Sequence, residues 1–579
     1  MEAGKRTIRD IFNRGRNLEI PFFQRAYVWD TDQWERFLQD MVSVSKTKRK
    51  YFLGSVILKQ ESTTSDKDSK LSVVDGQQRL TTLNIFFKVL CLKKGQNDEF
   101  KDTFTKQRDK SIILLHNHND IEQFELVVNL EELVEFKSED VSTSNILGAY
   151  HYFKEQMNEE LVNEIDHYDI LDNVQFVGID LAQGEDEQQI FDTINSLGVR
   201  LTTAELLKNH LFKRNEIDLY ETYWKSIFEK NDEQKFYWDQ EVTTGREKRS
   251  LIDLFFYAFL QIQIQDPALN VTSEDKLYFS KVDGLFDSYR KFLKNYFKDK
   301  NALLELIKEY AKIFRANVDV DIVNKEMSAE PGSDRMNAII FGNGSSTLLP
   351  YYLYVCKNVG EDEQTKLFGV VENYIIRRII VRASNKNYNQ LFSGRLISNQ
   401  IKSAESFIRY MLTQDEKVNF FPSNTDLKKA FGEERLTNYN AATVLYFLES
   451  ATRDPKHSTA LLGLKKYSLE HIMPKKWRNH WSLPKEITPE ERDKKLLTLG
   501  NLTIITQSLN TSIRDANWEI KKCGNGKNHG LKVFSGGIET LAPYLEEKEW
   551  NEETIEKRAG DLYEKSVKQW PYPEVFNDK

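Results

Sequence analysis

Hydrophobic and polar positions fall into three textures along the chain. From Ile20 to about Phe212, short apolar runs alternate with turn signals, and Tyr51 to Leu58 (YFLGSVIL), Leu71 to Val74 and Val174 to Leu181 (VQFVGIDL) predict buried strands. Helical spacing lies between and after them: Leu80, Leu83, Phe87 and Leu90 within Gln77 to Leu92, and Ile190, Phe191, Ile194 and Leu197 within Glu187 to Leu197. The polar, breaker-rich stretch Glu61 to Lys70 predicts a surface hairpin tip. From about Asn215 to Asp426, apolar residues recur every three or four positions through Leu251 to Ile264, Leu303 to Phe314 and Leu367 to Val381, which predicts an almost wholly helical connector. After Leu427, a helix over Ala441 to Glu449 leads into a compact, turn-rich region.

Length turns these textures into domains. A chain of 579 residues is too long for one core and predicts roughly three or four. The expected class is multidomain α+β: an α/β domain over residues 1–214, the helical connector over 215–426 and a C-terminal domain over 427–579. With 40% hydrophobic and 29% charged residues the composition is globular, and a net charge of −8 excludes a uniformly basic surface, so nucleic-acid contacts must come from local patches. The N-terminus MEAGKRTIRDIFNRG has no apolar signal core, and no run of about 18 uncharged apolar residues occurs, which predicts a cytoplasmic protein with no membrane contact. Three scattered cysteines, Cys91, Cys356 and Cys523, fit a reducing compartment and exclude a cysteine-based zinc site.

Candidate chemistry concentrates at two places. Near the C-terminus, Tyr467-Ser-Leu-Glu-His-Ile-Met-Pro474 sets a carboxylate beside an imidazole at the end of a short apolar strand, and Leu499-Gly-Asn-Leu-Thr leads on to Asn510. Phosphodiester hydrolysis needs a base to activate water, a divalent cation on the phosphate and a group to orient the base. Glu470 and Asn510 offer the oxygen ligands that Mg²⁺ or Mn²⁺ takes, His471 is the candidate base, and Asn501 is expected to fix its orientation and tautomer. Lys475, Lys476 and Arg478 follow directly and are candidates to hold a DNA backbone, with Lys521 or Lys522 as a further phosphate contact.

The second place is N-terminal: Ile20-Pro-Phe-Phe-Gln-Arg-Ala-Tyr-Val-Trp29, Phe52-Leu-Gly-Ser55 and Val73-Val-Asp-Gly-Gln-Gln-Arg-Leu-Thr-Thr-Leu83. In the last, a strand ends at Asp75, Gly76 permits a tight turn, and Gln77, Gln78 and Arg79 open a helix. A helix start offers free N–H groups to an anion, and Arg79 adds a fork matched to phosphate, so the arrangement suits a nucleotide whose pocket Gln24 and Arg25 complete. No Walker A loop occurs.

These motifs resemble the GmrSD family of type IV, modification-dependent restriction enzymes. Glu470-His-Ile-x-Pro, Leu499-Gly-Asn-Leu-Thr, Asn510, Trp518, Lys521, Trp550, Arg558 and Trp570-Pro571 resemble its nuclease domain over about Leu427 to Pro573, with Trp518 where that family usually has Phe. The N-terminal motifs, with Phe191-Asp-Thr-Ile-Asn-Ser-Leu-Gly-Val-Arg-Leu-Thr202 and Glu205-Leu-Leu-Lys-Asn209, resemble its first domain, with Glu205 where Asp is common. The resemblance implies a ParB/sulfiredoxin-like nucleotide-binding fold, then an HNH-like ββα-metal nuclease fold. It implies metal on Glu470 and Asn510, His471 as general base and Asn501 as its orienting group. It also implies binding and hydrolysis of a nucleoside triphosphate (GTP, UTP or ATP) at Gln24, Arg25, Asp75, Gly76, Gln77, Gln78 and Arg79, with Asn195, Gly198 and Arg200 close by. The implied substrate is double-stranded DNA carrying a base or backbone modification, and a homodimer is compatible with it. Two alternatives stay open from sequence: a nucleic-acid-binding regulator without nucleotide turnover, and an RNA-cleaving abortive-infection nuclease.

Overall fold

The computed structural model describes residues 2–573 apart from 14, 22–23, 25, 61–68, 118–119, 183–202, 213–215, 245–246, 282–283, 414–417, 455–460, 527–528 and 535–537. The chain forms two compact units, Met1–Thr222 and Tyr223–Lys579.

The first unit is built on a six-stranded mixed sheet of β1 (Glu2–Thr7), β2 (Arg16–Glu19), β3 (Tyr51–Gln60), β4 (Ser69–Asp75), β5 (Leu114–Leu115) and β6 (Val174–Leu181), in the order β1-β6-β3-β4-β2-β5. The three apolar runs of this region are β3, β4 and β6. β3 pairs parallel to β6 and antiparallel to β4, as a hairpin requires, although the expected tip at 61–68 lies outside the described residues, as does the expected helix at 187–197. β1 and β2 read EAGKRT and RNLE, too polar and too short to show a period.

Helices α1 (Thr31–Thr47), α2 (Gln77–Lys93) and α3 (Asn145–Gln156) pack together beside this sheet, with Phe37, Phe86 and Phe153 meeting at ring distances of 5.5 to 6.1 Å. Asp30 and Gln33 close a capping box at the start of α1. α2 is buried on nearly every side, polar positions included. Its Thr81 and Thr82 hydroxyls and the Asn84 Nδ2 meet that demand by donating to the carbonyls four residues back, each at 2.8 Å, while Asn84 Oδ1 has no partner among the described residues.

In the second unit the expected helices appear as α4 (Leu251–Gln263), α5 (Lys300–Asn317), α6 (Glu361–Ile380) and α7 (Asn438–Thr452). The connector is not wholly helical: Glu241–Thr244 (β7) and Glu247–Ser250 (β8) form an antiparallel hairpin whose polar sequence gives no apolar run to find it by. Further on, β9 (Tyr467–His471) pairs antiparallel with β10 (Leu502–Thr506), followed by α8 (Gln507–Ile513), α9 (Trp518–Cys523) and the long α10 (Glu552–Gln569). α7 packs on β9 and β10, and both α6 and α10 pack on α7.

Buried arginines tie the connector to the C-terminal elements. Arg377 of α6 donates to the carbonyls of Trp570 and Pro422 at 2.7 to 2.9 Å, and Arg335 pairs bidentately with Glu372, which also accepts the Trp570 indole N–H at 2.8 Å. Fully hydrogen-bonded guanidinium groups are the form in which charge can be buried, and removing one partner would leave the other costly. Among the described residues no helix is long and apolar enough to cross a membrane.

Candidate functional site

Strand geometry divides the C-terminal motif into two faces. Ser468 and Glu470 share one face of β9 and His471 the other, since neighbours on a strand point opposite ways. Asn510, arriving on α8, donates its Nδ2 to Ser468 Oγ at 3.1 Å and to the Leu469 carbonyl at 3.2 Å, which sets it on the Glu470 side and leaves its Oδ1 as the atom able to coordinate a cation. Glu470 is buried, and burial raises its pKa against the opposing pull of Lys521. Lys521 is itself wholly buried on α9, where its ammonium donates to Glu470 Oε1 and, at 2.9 Å, to the His471 carbonyl. Lys521 was expected to meet phosphate or water; instead it closes an internal ion pair with the candidate ligand.

A carboxylate and an amide oxygen on one face fit a hard cation that keeps most of its shell as water. Among the described residues no cluster of three or more His, Cys, Asp or Glu side chains offers an all-protein cage.

His471 is half-buried and opens into a cleft of about 310 Å³ whose walls include Leu502, its cross-strand neighbour, together with Lys475, Arg382, Arg435 and Thr437. Burial first, then the charges of Lys475, Lys521 and Arg435, lower its pKa to about 4, so the imidazole is uncharged at neutral pH and able to accept a proton. Of the basic trio, only Lys475 lines this cleft. Lys476 is exposed, and Arg478 is bonded to Asp493 at 2.9 Å while its guanidinium lies 4.5 Å from the Trp477 ring. Arg382 and Arg435 were missed: they come from turns remote in sequence, and nothing local marks them.

Asn501 has another partner than the one expected. Its Oδ1 accepts from Met473 N at 2.8 Å and Trp550 Nε1 at 2.9 Å, while its Nδ2 donates to the carbonyls of Met473 at 2.8 Å and Leu496 at 3.0 Å. These four bonds exhaust an amide, so it does not hold the imidazole but fixes the backbone just beyond His471. Gly500 beside it is required sterically, since a Cβ there would lie 2.2 Å from the Ile555 carbonyl of α10. Arg558 of α10 completes the support by donating to the carbonyls of Leu499, Gly500 and Leu502.

In the first unit, the turn between β4 and α2 gathers a second cluster. Arg79 donates to the Ser55 carbonyl at 2.8 Å and lies 3.8 Å from Asp75, which accepts from Ser55 Oγ at 2.9 Å. Gly54, at φ +130°, makes room for this: a Cβ there would sit 2.8 Å from Arg79 Nε. Gly76, also left-handed, precedes the first turn of α2. Gln24 and Gln78 do other work than the phosphate binding expected of them. Gln24 donates to the carbonyls of Val73 and Val74 at 3.3 and 3.1 Å, whereas Gln78 accepts from Val28 N at 2.9 Å and donates to the Ala26 carbonyl at 3.2 Å, so Gln24, Ala26 and Val28 are clamped onto the turn. Gln77 is buried at the start of α2. Arg25, Asn195, Gly198 and Arg200 lie outside the described residues.

The comparisons with known proteins bear on both clusters. The model of the GmrSD restriction endonuclease N-terminal domain matches residues 8–212, and that of the GmrSD restriction endonuclease C-terminal domain matches residues 421–565. A search among curated proteins gives no match. With both models matched in order over more than half of its length, the chain belongs to the GmrSD restriction endonuclease family.

Proposed function

We propose that this chain is a metal-dependent DNA endonuclease or nickase that restricts modified phage DNA, with a nucleoside triphosphate bound and hydrolysed by its N-terminal unit. The observation that carries the reading is His471, uncharged at neutral pH and opening into a cleft flanked by Lys475, Arg382 and Arg435, in a chain of a restriction endonuclease family. The three cations hold the DNA backbone and set the scissile phosphate before the imidazole. His471 takes the proton of the attacking water at a ring nitrogen. Glu470 and Asn510 would hold Mg²⁺ or Mn²⁺, which would stabilise charge on the phosphate and the leaving oxygen; since neighbours on a strand face opposite ways, a local twist at the end of β9 is what would bring that ion and the imidazole to one phosphate. Lys521 holds Glu470 in place inside the fold by donating to its Oε1. Asn501 acts as a positioning residue through the backbone of Met473.

For the nucleotide, support comes from the first turn of α2, with Asp75, Gly76 and Arg79 gathered there, and from the family. GTP, UTP and ATP are the candidates, and a modified base or backbone in duplex DNA is the signal read. The deciding assay is cleavage of modified and unmodified phage DNA, each with and without Mg²⁺ and each triphosphate, beside phosphate release and an RNA control. Cleavage of modified DNA that needs metal is expected. Cleavage of RNA alone, or none by a chain that binds DNA, would overturn the reading.

A further inference from the structure

The cleft in front of His471 does not end at Arg382. A second cavity of about 240 Å³ adjoins it, and Arg382 and Thr437 line both. Its character is different. Asn343, Asn385, Asn440 and Ser384 give it amides and a hydroxyl, Ile375 and the buried ring of Tyr388 give it an apolar side, and Arg382 at the junction is its one charged lining residue. A neutral, hydrogen-bonding cavity suits neither a bare phosphate nor a metal ion. It suits a group with an apolar face and polar edges, entered past a cation.

Four details sharpen that description. Asn343 lines the cavity, and its Oδ1 is buried with no hydrogen-bond partner among the described residues, so its amide is not held in place by a bond at that atom. Arg382 follows the last turn of α6 with its backbone in the left-handed region at φ 53°, uncommon for a residue with a side chain, and its guanidinium has only an exposed pairing with Glu434 at 3.5 Å to give up. Arg435, on the His471 side, forms no ion pair among the described residues. Thr437 caps α7, so the positive end of a helix dipole opens at the same junction.

We propose that the second cavity is the subsite for a nucleoside of the substrate strand beside the scissile phosphate, with Arg382 on the phosphate between the two cavities. The inference rests on the nuclease reading and deepens it. It makes the end of α6 and the turns at 343 and 384–385 part of the substrate site, and gives the cavity the task of distinguishing one nucleoside from another through amide and hydroxyl contacts. A free nucleoside monophosphate shares the chemistry; continuity with the His471 cleft favours the strand.

The test uses the full chain carrying His471→Ala, which allows binding without turnover, and fluorescein-labelled DNA duplexes with and without a modified cytosine, followed by anisotropy over a range of salt. Adding Arg382→Ala is expected to weaken binding and to lower the slope of log affinity against log salt by about one, as loss of one phosphate contact does. Adding Asn343→Ala or Asn385→Ala is expected to weaken binding about three- to ten-fold with the slope unchanged. Asn385 is exposed, so that variant remains informative should Asn343→Ala fold poorly. If the His471→Ala chain binds duplex and the wild type cleaves it, yet all three added variants bind like their parent, the subsite falls and the nuclease reading stands. If free deoxynucleoside monophosphate binding responds to these variants while duplex binding does not, the cavity serves a free nucleotide and the proposal is overturned. If the parent binds no duplex and the wild type cleaves none, both fall together.

Discussion

In the N-terminal unit, the amides of Gln24 and Gln78 are given to backbone groups of β4 and of Ala26 and Val28, while Arg79 and Asp75 keep 28% and 18% of their side chains exposed. The C-terminal motif divides the same way: Asn501 is wholly engaged with backbone and with Trp550, whereas His471 and Lys475 face a cleft. The two clusters differ in what remains open. The first leaves a cation and a carboxylate already paired with each other; the second leaves an uncharged base among cations with no carboxylate lining its cleft. The first is a place where an anion must displace Asp75 from Arg79, and the second is one where it meets only the exposed pairing of Arg382 with Glu434 at 3.5 Å. In both, amides such as Gln24, Gln78 and Asn501 hold the backbone while Arg79, His471 and Lys475 stay open to a ligand, so losing a holder should appear in stability and losing a facing group in activity.

The largest expected effect tests the holder side. Asn501→Ala leaves the Met473 and Trp550 N–H groups and two carbonyls buried without partners, at about 1 to 3 kcal/mol each, so a destabilisation of roughly 4 kcal/mol or more is expected in urea unfolding. Wild-type stability with lost cleavage would instead make Asn501 a group that acts on the reaction. Next, His471→Ala should lower cleavage by at least ~10²-fold, or about 2.7 kcal/mol in the barrier, with urea unfolding unchanged. Unaltered cleavage would remove His471 from the chemistry.

A smaller effect compares two uncharged histidines. His116 in the first unit is buried, bonded to Thr81 at 2.9 Å, and burial lowers its pKa to about 3. Between pH 6.5 and 3 the unfolded chain takes up the proton and the folded one does not, so His116 stabilises the fold fully above the unfolded value and progressively less as pH falls. From pH 7 to pH 5 that amounts to about 2 kcal/mol of the N-terminal unit's stability, read as the difference in acid sensitivity between wild type and His116→Gln. Parallel curves would mean that the folded protein accommodates a charged His116.

Much of this fold could be read from the chain because its signals are local. β3, β4, β6 and the helices α2 and α4 to α7 carry apolar runs or helical spacing, and the family motifs mark both clusters. The polar hairpin β7–β8 and the short strands β1 and β2 carry neither signal and were not foreseen. Within the candidate site, the residue types were legible but their partners were not. The chemistry's need for an orienting group and the family resemblance both assign Asn501 to His471, whereas its amide meets Met473, Leu496 and Trp550, the last 49 residues further on. Arg382 and Arg435 reach the cleft only through the packing of α6 and α7, and the burial of Lys521 depends on where α9 lies against β9.

The smallest effect asks whether the paired charges of the N-terminal cluster serve a nucleotide at all. Arg79 Nη1 donates to the Ser55 carbonyl and faces Asp75, with part of its surface open. A phosphate arriving at the first turn of α2 would gain a charge-assisted contact to this guanidinium, about 1.5 to 3 kcal/mol, less what the displaced Asp75 pairing and Ser55 bond contributed. The net loss in Arg79→Ala is therefore about one decade of nucleotide affinity, or about 1.4 kcal/mol. Titration of the full chain with GTP, UTP and ATP reads it directly, and Arg79→Lys, which keeps the charge but not the fork, should fall between the two. If nucleotide binding and DNA binding bias one conformational equilibrium, the same variant must change how the triphosphate alters DNA affinity, and by reciprocity DNA must shift triphosphate affinity by the same factor. Loss of triphosphate binding in Arg79→Ala with an unchanged triphosphate effect on DNA cleavage would show that the two clusters act independently, and that the resemblance in their division of labour carries no coupling.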